Sequence, residues 1–228
     1  MAGPLAWHRF ATLADASEAL AEAVAIRLKE LLAGQGRALL AVPGGTTPAG
    51  FLAALGQHDL PWEQVTLLPT DERFVAADDA ASNERMIRAQ FAPLATGRAA
   101  FLSFHDHGSD IEAAAAVLCT KLAELPEIDL LVSGMGADGH IASLFPGAEA
   151  TFNAVPDSGI VVAHPPGLPP RLSLSPARLL GAAWASLLVS GAAKEAVLQA
   201  APEREQKLLP VDLLLGSARG LDVYWAKG

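Results

Sequence analysis

The stretch Ser133-Gly134-Met135-Gly136-Ala137-Asp138-Gly139-His140-Ile141-Ala142-Ser143-Leu144-Phe145-Pro146-Gly147 follows the apolar run 128–132, which reads as a buried strand. Three glycines then let the backbone turn tightly and come close to a ligand. Asp138 and His140 stand two residues apart where that strand should end. In an open α/β sheet, the carboxyl ends of strands are where ligands bind. An acid and an imidazole on a glycine loop there suggest a catalytic centre. The plainer reading is a Gly-rich turn with a solvated Asp and a hydrogen-bonded His.

Working outward, the same succession of strand, turn and helix recurs. Residues 15–33 carry Leu20, Val24, Leu28, Leu31 and Leu32 at helical spacing, with Asp15 as the expected cap and Gly34 and Gly36 as the stop. Residues 37–42 read as a short buried strand that runs into Pro43-Gly44-Gly45-Thr46-Thr47-Pro48. Pro48 suits the first position of a helix. The free N–H groups of that helix start, with the flexible Gly44 and Gly45, make an anion cradle; a tight turn with a helix cap is the alternative. No Gly-Lys-Ser/Thr follows, which argues against a nucleoside triphosphate.

Residues 64–68 read as a strand that delivers Asp71-Glu72-Arg73, a charged turn. Ser82 or Asn83 caps the next helix, and residues 99–103 form a strand. Residues 110–124 form an Ala-rich helix that ends before Pro126. Beyond Gly147 the chain is richer in Pro and Gly, and residues 164–170 are an extended loop. Residues 171–175 alternate like a strand, and Pro176 opens a short helix. The strand 184–189 leads into Ser190-Gly191-Ala192-Ala193-Lys194, a Gly turn with a lysine one turn into a helix. Residues 221–225 form a final strand.

This alternation predicts an α/β fold: a mainly parallel, Rossmann-like open sheet with helices on both faces. A single domain over residues 1–228, with a Pro/Gly-rich C-terminal half, is expected. Strand ends of one parallel sheet share an edge. The polar ends at Gly44 to Thr47, Asp71 to Arg73, Asp138 to His140, and Lys194 should therefore converge.

A hydrophobic content of 51% allows a sizeable core and argues against disorder. The net charge of -9 argues against general binding to nucleic acid or to an anionic membrane. It leaves room for a small anionic ligand held by a few local cations. Cys119, the single cysteine, forms no intrachain disulfide and no Cys-based zinc site, and reads as a small core residue. His105-Asp106-His107 has a metal-like spacing with no further ligands nearby, and reads as a loop. Residues 1–10 do not resemble a secretory leader, and no apolar run is long enough to span a membrane. A soluble, cytoplasmic monomer or homodimer without metal or cofactor is expected.

Two catalytic patterns fail in context. Gly134-x-Gly136-x-x-Gly139 matches the dinucleotide fingerprint, but Pro146 comes only seven residues after Gly139 and leaves no room for the required helix. Gly-x-Ser-x-Gly is absent, which disfavours a serine nucleophile.

Taken in order, Gly44-Gly45-Thr46-Thr47-Pro48, Asp71-Glu72-Arg73-Phe74-Val75, Ser82-Asn83, the Gly134 to His140 loop with Ala142 to Gly147, Arg171 to Ser175, and Gly191-x-x-Lys194 resemble the 6-phosphogluconolactonase family. The resemblance covers nearly the whole chain. It departs at Pro43, where Ser is frequent, and at Ala76, where Pro is frequent. The wider group includes glucosamine-6-phosphate deaminase, whose central block reads Asp-Gly-His-Ile-Ala-Phe-Asn-Glu-Pro. This chain shares Ile141, but Phe145 takes the place of the deaminase's functional Glu, and Arg73 that of its Tyr.

The resemblance implies hydrolysis of 6-phospho-D-glucono-1,5-lactone to 6-phosphogluconate in the oxidative pentose phosphate pathway. His140 is then the water-activating base, since imidazole titrates near working pH. Asp138 or Asp71 orients or polarises it, and glycine-loop N–H groups hold the oxyanion. Gly44, Gly45, Thr46, Thr47, Arg73 and Lys194, with Arg171, hold the phosphate. The alternatives are a deaminase-like sugar-phosphate isomerase and a non-catalytic sugar-phosphate-binding protein.

Overall fold

The computed structural model describes residues 3–105, 108–148, 159–201 and 209–228. Its strands are β1 (Leu5–Phe10), β2 (Ala38–Val42), β3 (Val65–Pro69), β4 (Asp71–Arg73), β5 (Ala100–Phe101), β6 (Leu130–Ser133), β7 (Ile160–Ala163), β8 (Arg171–Leu174), β9 (Trp184–Ser190) and β10 (Leu221–Ala226). Its helices are α1 (Leu13–Gln35), α2 (Ala49–Leu55), α3 (Asn83–Gln90), α4 (Ala92–Ala95), α5 (Ile111–Ala123), α6 (Pro176–Leu180), α7 (Ala192–Gln199) and α8 (Pro210–Leu215).

Among the described residues, seven strands form a parallel sheet in the order β1-β10-β9-β6-β2-β3-β5. The central strands β2 and β6 are buried along their whole length and apolar except for the terminal Ser133. Such strands belong in a sheet covered on both faces. Alternate residues of β2 serve opposite cores, following the two-residue period of a strand. Leu40 and Val42 pack with Leu20, Val24 and Leu28 of α1 and with Phe51 of α2. Leu39 and Ala41 pack with Leu118 and Leu122 of α5. The expected fold class is therefore the observed one.

The helix ends follow from local chemistry. α1 is capped by Thr12 rather than by Asp15. The Thr12 Oγ1 accepts from the Asp15 N–H at 3.1 Å and donates to the Asp15 carboxylate at 2.7 Å. Asp15 thus sits in the first turn, where a negative charge also suits the helix dipole. Gly36, at φ 72°, closes the helix. Pro48 sits at the cap of α2, one position before the expected one.

Three strands have no counterpart among the sequence-based expectations. β4, expected as a charged turn, joins β8 and β7 in a small antiparallel sheet. Three residues, all charged, are too few to reveal a period of two. β7 and the edge strand β1 also lie outside the expected elements. β5 is shorter than its expected range. Cys119 is packed against one core, as expected, with the Ile160 N–H directed at its sulfur. Of His105-Asp106-His107, the last two lie outside the described residues. Among the described residues, no helix is long and apolar enough to cross a membrane.

The strand order positions the site. From β2 the chain moves outward to β3 and β5, then returns as β6 on the other flank of β2 and continues towards β9 and β10. The connections that follow β2 and β6 thus leave in opposite directions. A crevice opens outside the carboxyl ends of such a pair.

Candidate active site

The crevice is a cleft lined by Gly44 to Thr47 after β2, Asp71 and Arg73 of β4, Gly134 to Gly136 and His140 after β6, Arg171 at the start of β8, and Lys194 in α7. The four polar strand ends expected to converge do so. Asp138 stands behind His140, where it also borders a neighbouring depression.

The glycine loop presents His140. The Gly136 N–H donates to the His140 carbonyl at 2.9 Å, the Gly139 N–H donates to the Gly136 carbonyl at 3.1 Å, and Gly139 adopts φ 84°. The Asp138 Oδ1 accepts from the His140 N–H at 3.2 Å and lies 2.6 Å from His140 Nδ1. Partial burial pushes the Asp138 carboxyl up, but the bonds from the His140 backbone and ring outweigh it and hold the group below its ordinary value. An ionised carboxylate only accepts, so Nδ1 carries a proton, and in the neutral ring Nε2 then keeps its lone pair. The ring packs closely on Gly136: a Cβ there would lie 2.2 Å from Nδ1 and Cε1. The Phe145 ring lies 4.9 Å from the imidazole, and the Arg171 guanidinium lies 5.6 Å from the same phenyl ring.

Asp71 has a different environment. It is buried, and the Ser143 hydroxyl donates to its Oδ2 at 2.5 Å. Asn83 Nδ2 donates to its backbone carbonyl at 2.7 Å and to its Oδ1 at 3.3 Å. Arg171 Nη1 is 3.9 Å from Oδ2. Burial raises the Asp71 pKa, and the Ser143 bond and the charges of Arg73 and Arg171 offset only part of that rise. Environment therefore pushes the two acids, Asp71 and Asp138, in opposite directions. Only Asp138 is hydrogen-bonded to the imidazole among the described residues.

The other wall is cationic. Arg73 and Arg171 are register partners across β4 and β8. Arg73 Nη1 donates to the Ala81 carbonyl at 2.5 Å. The Nε atoms of both arginines are buried without a partner among the described residues. Burial lowers the Arg171 pKa, as does the charge of Arg73, against the opposing pull of Asp71. Burial likewise lowers that of Lys194. The N–H groups of Gly44, Gly45, Thr46 and Thr47 find no acceptor among the described residues. A cationic wall beside unpaired N–H groups suits an anion with several oxygens.

Two contributing residues escaped the sequence reading of the site. Of the two candidate caps, Ser82 is the cap of α3, and Asn83 lines the cleft instead. Its side chain fills the space where a Cβ on Gly44 would lie, 1.9 Å from its Oδ1. Ser143 carries no role of its own in the sequence reading. Its position in the block after His140 was the available signal.

A family model described as glucosamine-6-phosphate isomerases/6-phosphogluconolactonase matches residues 11–225. A 6-phosphogluconolactonase of Rhizobium meliloti is 34% identical over 226 residues, covering 96% of this chain and 97% of the relative. One from Mesorhizobium japonicum is 36% identical over 226 residues, covering 96% and 94%. The crystal structure of a 6-phosphogluconolactonase from Shewanella baltica superposes with a TM-score of 0.86 at 28% identity, covering 99% of each chain.

Proposed function

The chain belongs to the glucosamine-6-phosphate isomerase/6-phosphogluconolactonase family, and on that premise we propose that it hydrolyses 6-phospho-D-glucono-1,5-lactone to 6-phosphogluconate, a step of the oxidative pentose phosphate pathway. The observation that carries this reading is the oriented imidazole of His140 in one cleft with Arg73, Arg171 and Lys194.

In this mechanism His140 Nε2 takes a proton from water as the water oxygen attacks the lactone carbonyl. The negative charge moves to the carbonyl oxygen, where N–H groups of the glycine loop receive it. Asp138 stabilises the imidazolium. As the tetrahedral intermediate collapses, the bond from C1 to the ring oxygen breaks, and the imidazolium returns its proton to that oxygen. The product is an open-chain acid. The chemistry requires neither metal nor organic cofactor.

Gly44, Gly45, Thr46, Thr47, Arg73, Arg171 and Lys194 hold the phosphate. Asp71 serves as the buried counter-charge of Arg171 rather than as the partner of the base. That assignment rests on the 3.9 Å approach of Arg171 and on the bond between Asp138 and His140. The whole forms one domain over residues 1–228, working in the cytoplasm.

The deaminase alternative lacks a working part, because the phenyl ring of Phe145 cannot transfer protons. A purely binding protein would have no use for an imidazole aligned by a carboxylate. One assay separates these readings. Purified protein is added to freshly prepared 6-phosphogluconolactone, and acid release is followed against the spontaneous rate. Acceleration is expected, and its absence sinks the proposal. Ammonia release from glucosamine 6-phosphate would establish the deaminase instead.

A further inference from the structure

Glu72 lies between two cleft residues but does not line the cleft. Side chains alternate along a strand, so Asp71 and Arg73 face the cleft and Glu72 faces the other way. Its carboxylate is only 1% exposed, and it is richly hydrogen-bonded. It accepts from the backbone N–H groups of Arg73, Asn83 and Glu84, each at 2.7 Å. The Ser82 hydroxyl donates to it at 3.1 Å, and His105 Nε2 lies 3.1 Å away. Burial pushes its pKa up, but the bonds from His105 and the three N–H groups hold it below the ordinary value. A charge at this depth is tolerated because every donor around it points inward.

Asn83 and Glu84 open α3. The carboxylate therefore ties the β4 backbone to the first turn of that helix, where a negative charge also suits the helix dipole. The tie continues through Asn83. Its side-chain amide donates to Asp71, and its Oδ1 rests against Gly44. Three parts of the cleft thus depend on one buried group: Arg73 through its own N–H, Asp71 through Asn83, and the Gly44 turn through the same Asn83 side chain.

We infer that Glu72 is a positioning residue, which sets the spacing of Asp71, Arg73 and the Gly44 turn without touching the substrate. The inference rests on the reading of the cleft as a phosphate-binding site. A glutamine in this place would turn an NH2 towards at least one N–H, setting donor against donor.

The test uses the full chain with Glu72→Gln, Glu72→Asp and Asn83→Ala, each confirmed folded by circular dichroism. Affinity for 6-phosphogluconate is measured by calorimetry, and KM and kcat with the phosphorylated lactone. Glu72→Gln and Asn83→Ala are expected to weaken 6-phosphogluconate binding by roughly tenfold or more and to raise KM in parallel. Glu72→Asp keeps the charge on a shorter arm and should fall between them and the parent. A group that merely holds the fold together would lower the melting temperature and leave KM and affinity unchanged. Affinity and KM within about twofold of the parent in folded Glu72→Gln overturn the inference. If that variant does not fold, the same result in Glu72→Asp and Asn83→Ala overturns it. A parent that binds 6-phosphogluconate but does not open the lactone defeats the proposed reaction and leaves this test intact.

Discussion

Arg73 and Arg171 stand directly opposite each other in the antiparallel pair of β4 and β8, and both line the same cleft. Like charges in that relation repel, and Asp71 is close enough to Arg171 to offset part of the repulsion. A phosphate dianion bound between them relieves more of it. Ligand binding and stability are therefore coupled. With 6-phosphogluconate at a hundred times its dissociation constant, the folded state should gain about 2.7 kcal/mol. Thermal melting with and without ligand measures this gain. Arg171→Gln should retain little of the ligand-induced rise, and a full rise in that variant would remove Arg171 from the anion site.

His140 and Gly136 give a paired prediction. His140→Ala should lower kcat by about 10²–10⁴-fold with little change in KM. Gly136→Ala leaves the imidazole in place chemically but puts a methyl where the ring lies, at 2.2 Å. It should reproduce part of the kcat loss by turning the ring. Steady-state kinetics of both variants decide. A raised KM with an unchanged kcat would mean that the histidine binds rather than acts.

Asp138→Asn removes the carboxylate that keeps the proton on Nδ1. Its kcat should fall by about tenfold or more, again with KM nearly constant. The stability effect has a definite sign. The folded Asp138 pKa is depressed, so its contribution is present above the unfolded value of about 3.9 and is lost as pH falls through the lower folded value. The melting-temperature gap between parent and Asp138→Asn should therefore close on acidification. Because the Asp138 side chain is 54% exposed, the gap should be small.

Asp71→Asn should behave in the opposite sense. Burial raises the folded pKa of Asp71. Its contribution is thus fully present below the unfolded value of about 3.9 and is lost as pH rises through the folded value. The melting temperature of Asp71→Asn relative to the parent should climb from about pH 4 upward. A relative melting temperature that falls with pH would show that the buried acid is stabilised by its ionised form.

Much of the candidate site is legible in the sequence. A parallel sheet collects the carboxyl ends of its strands on one edge, so Gly44, Asp71, His140 and Lys194 were brought together by strand assignment alone. The choice of partner for His140 was not legible. Asp138 and Asp71 are both acids near strand ends, and only the 2.6 Å approach of Asp138 and the binding of Asp71 by Ser143 separate their roles. Asn83 and Glu72 were hidden for a related reason. Their work depends on α3 docking against β4, a contact between segments whose local patterns do not signal it. The strand character of Asp71 to Arg73 was hidden as well, since its partner β8 lies about a hundred residues later.

The sheet ends in a pairing that governs how the molecule can be made. β1 runs beside β10 and has no other strand neighbour among the described residues, so His8 meets Asp222 across 214 residues of chain. β1 leaves the ribosome well before β10 and must wait for it. Contacts of such sequence separation are closed late and slow folding. Until then Trp7 and Phe10 lack the β10 backbone beside them, so the nascent chain passes through a stage in which the two central cores can already form while one flank of the sheet stays open to unintended strand pairing.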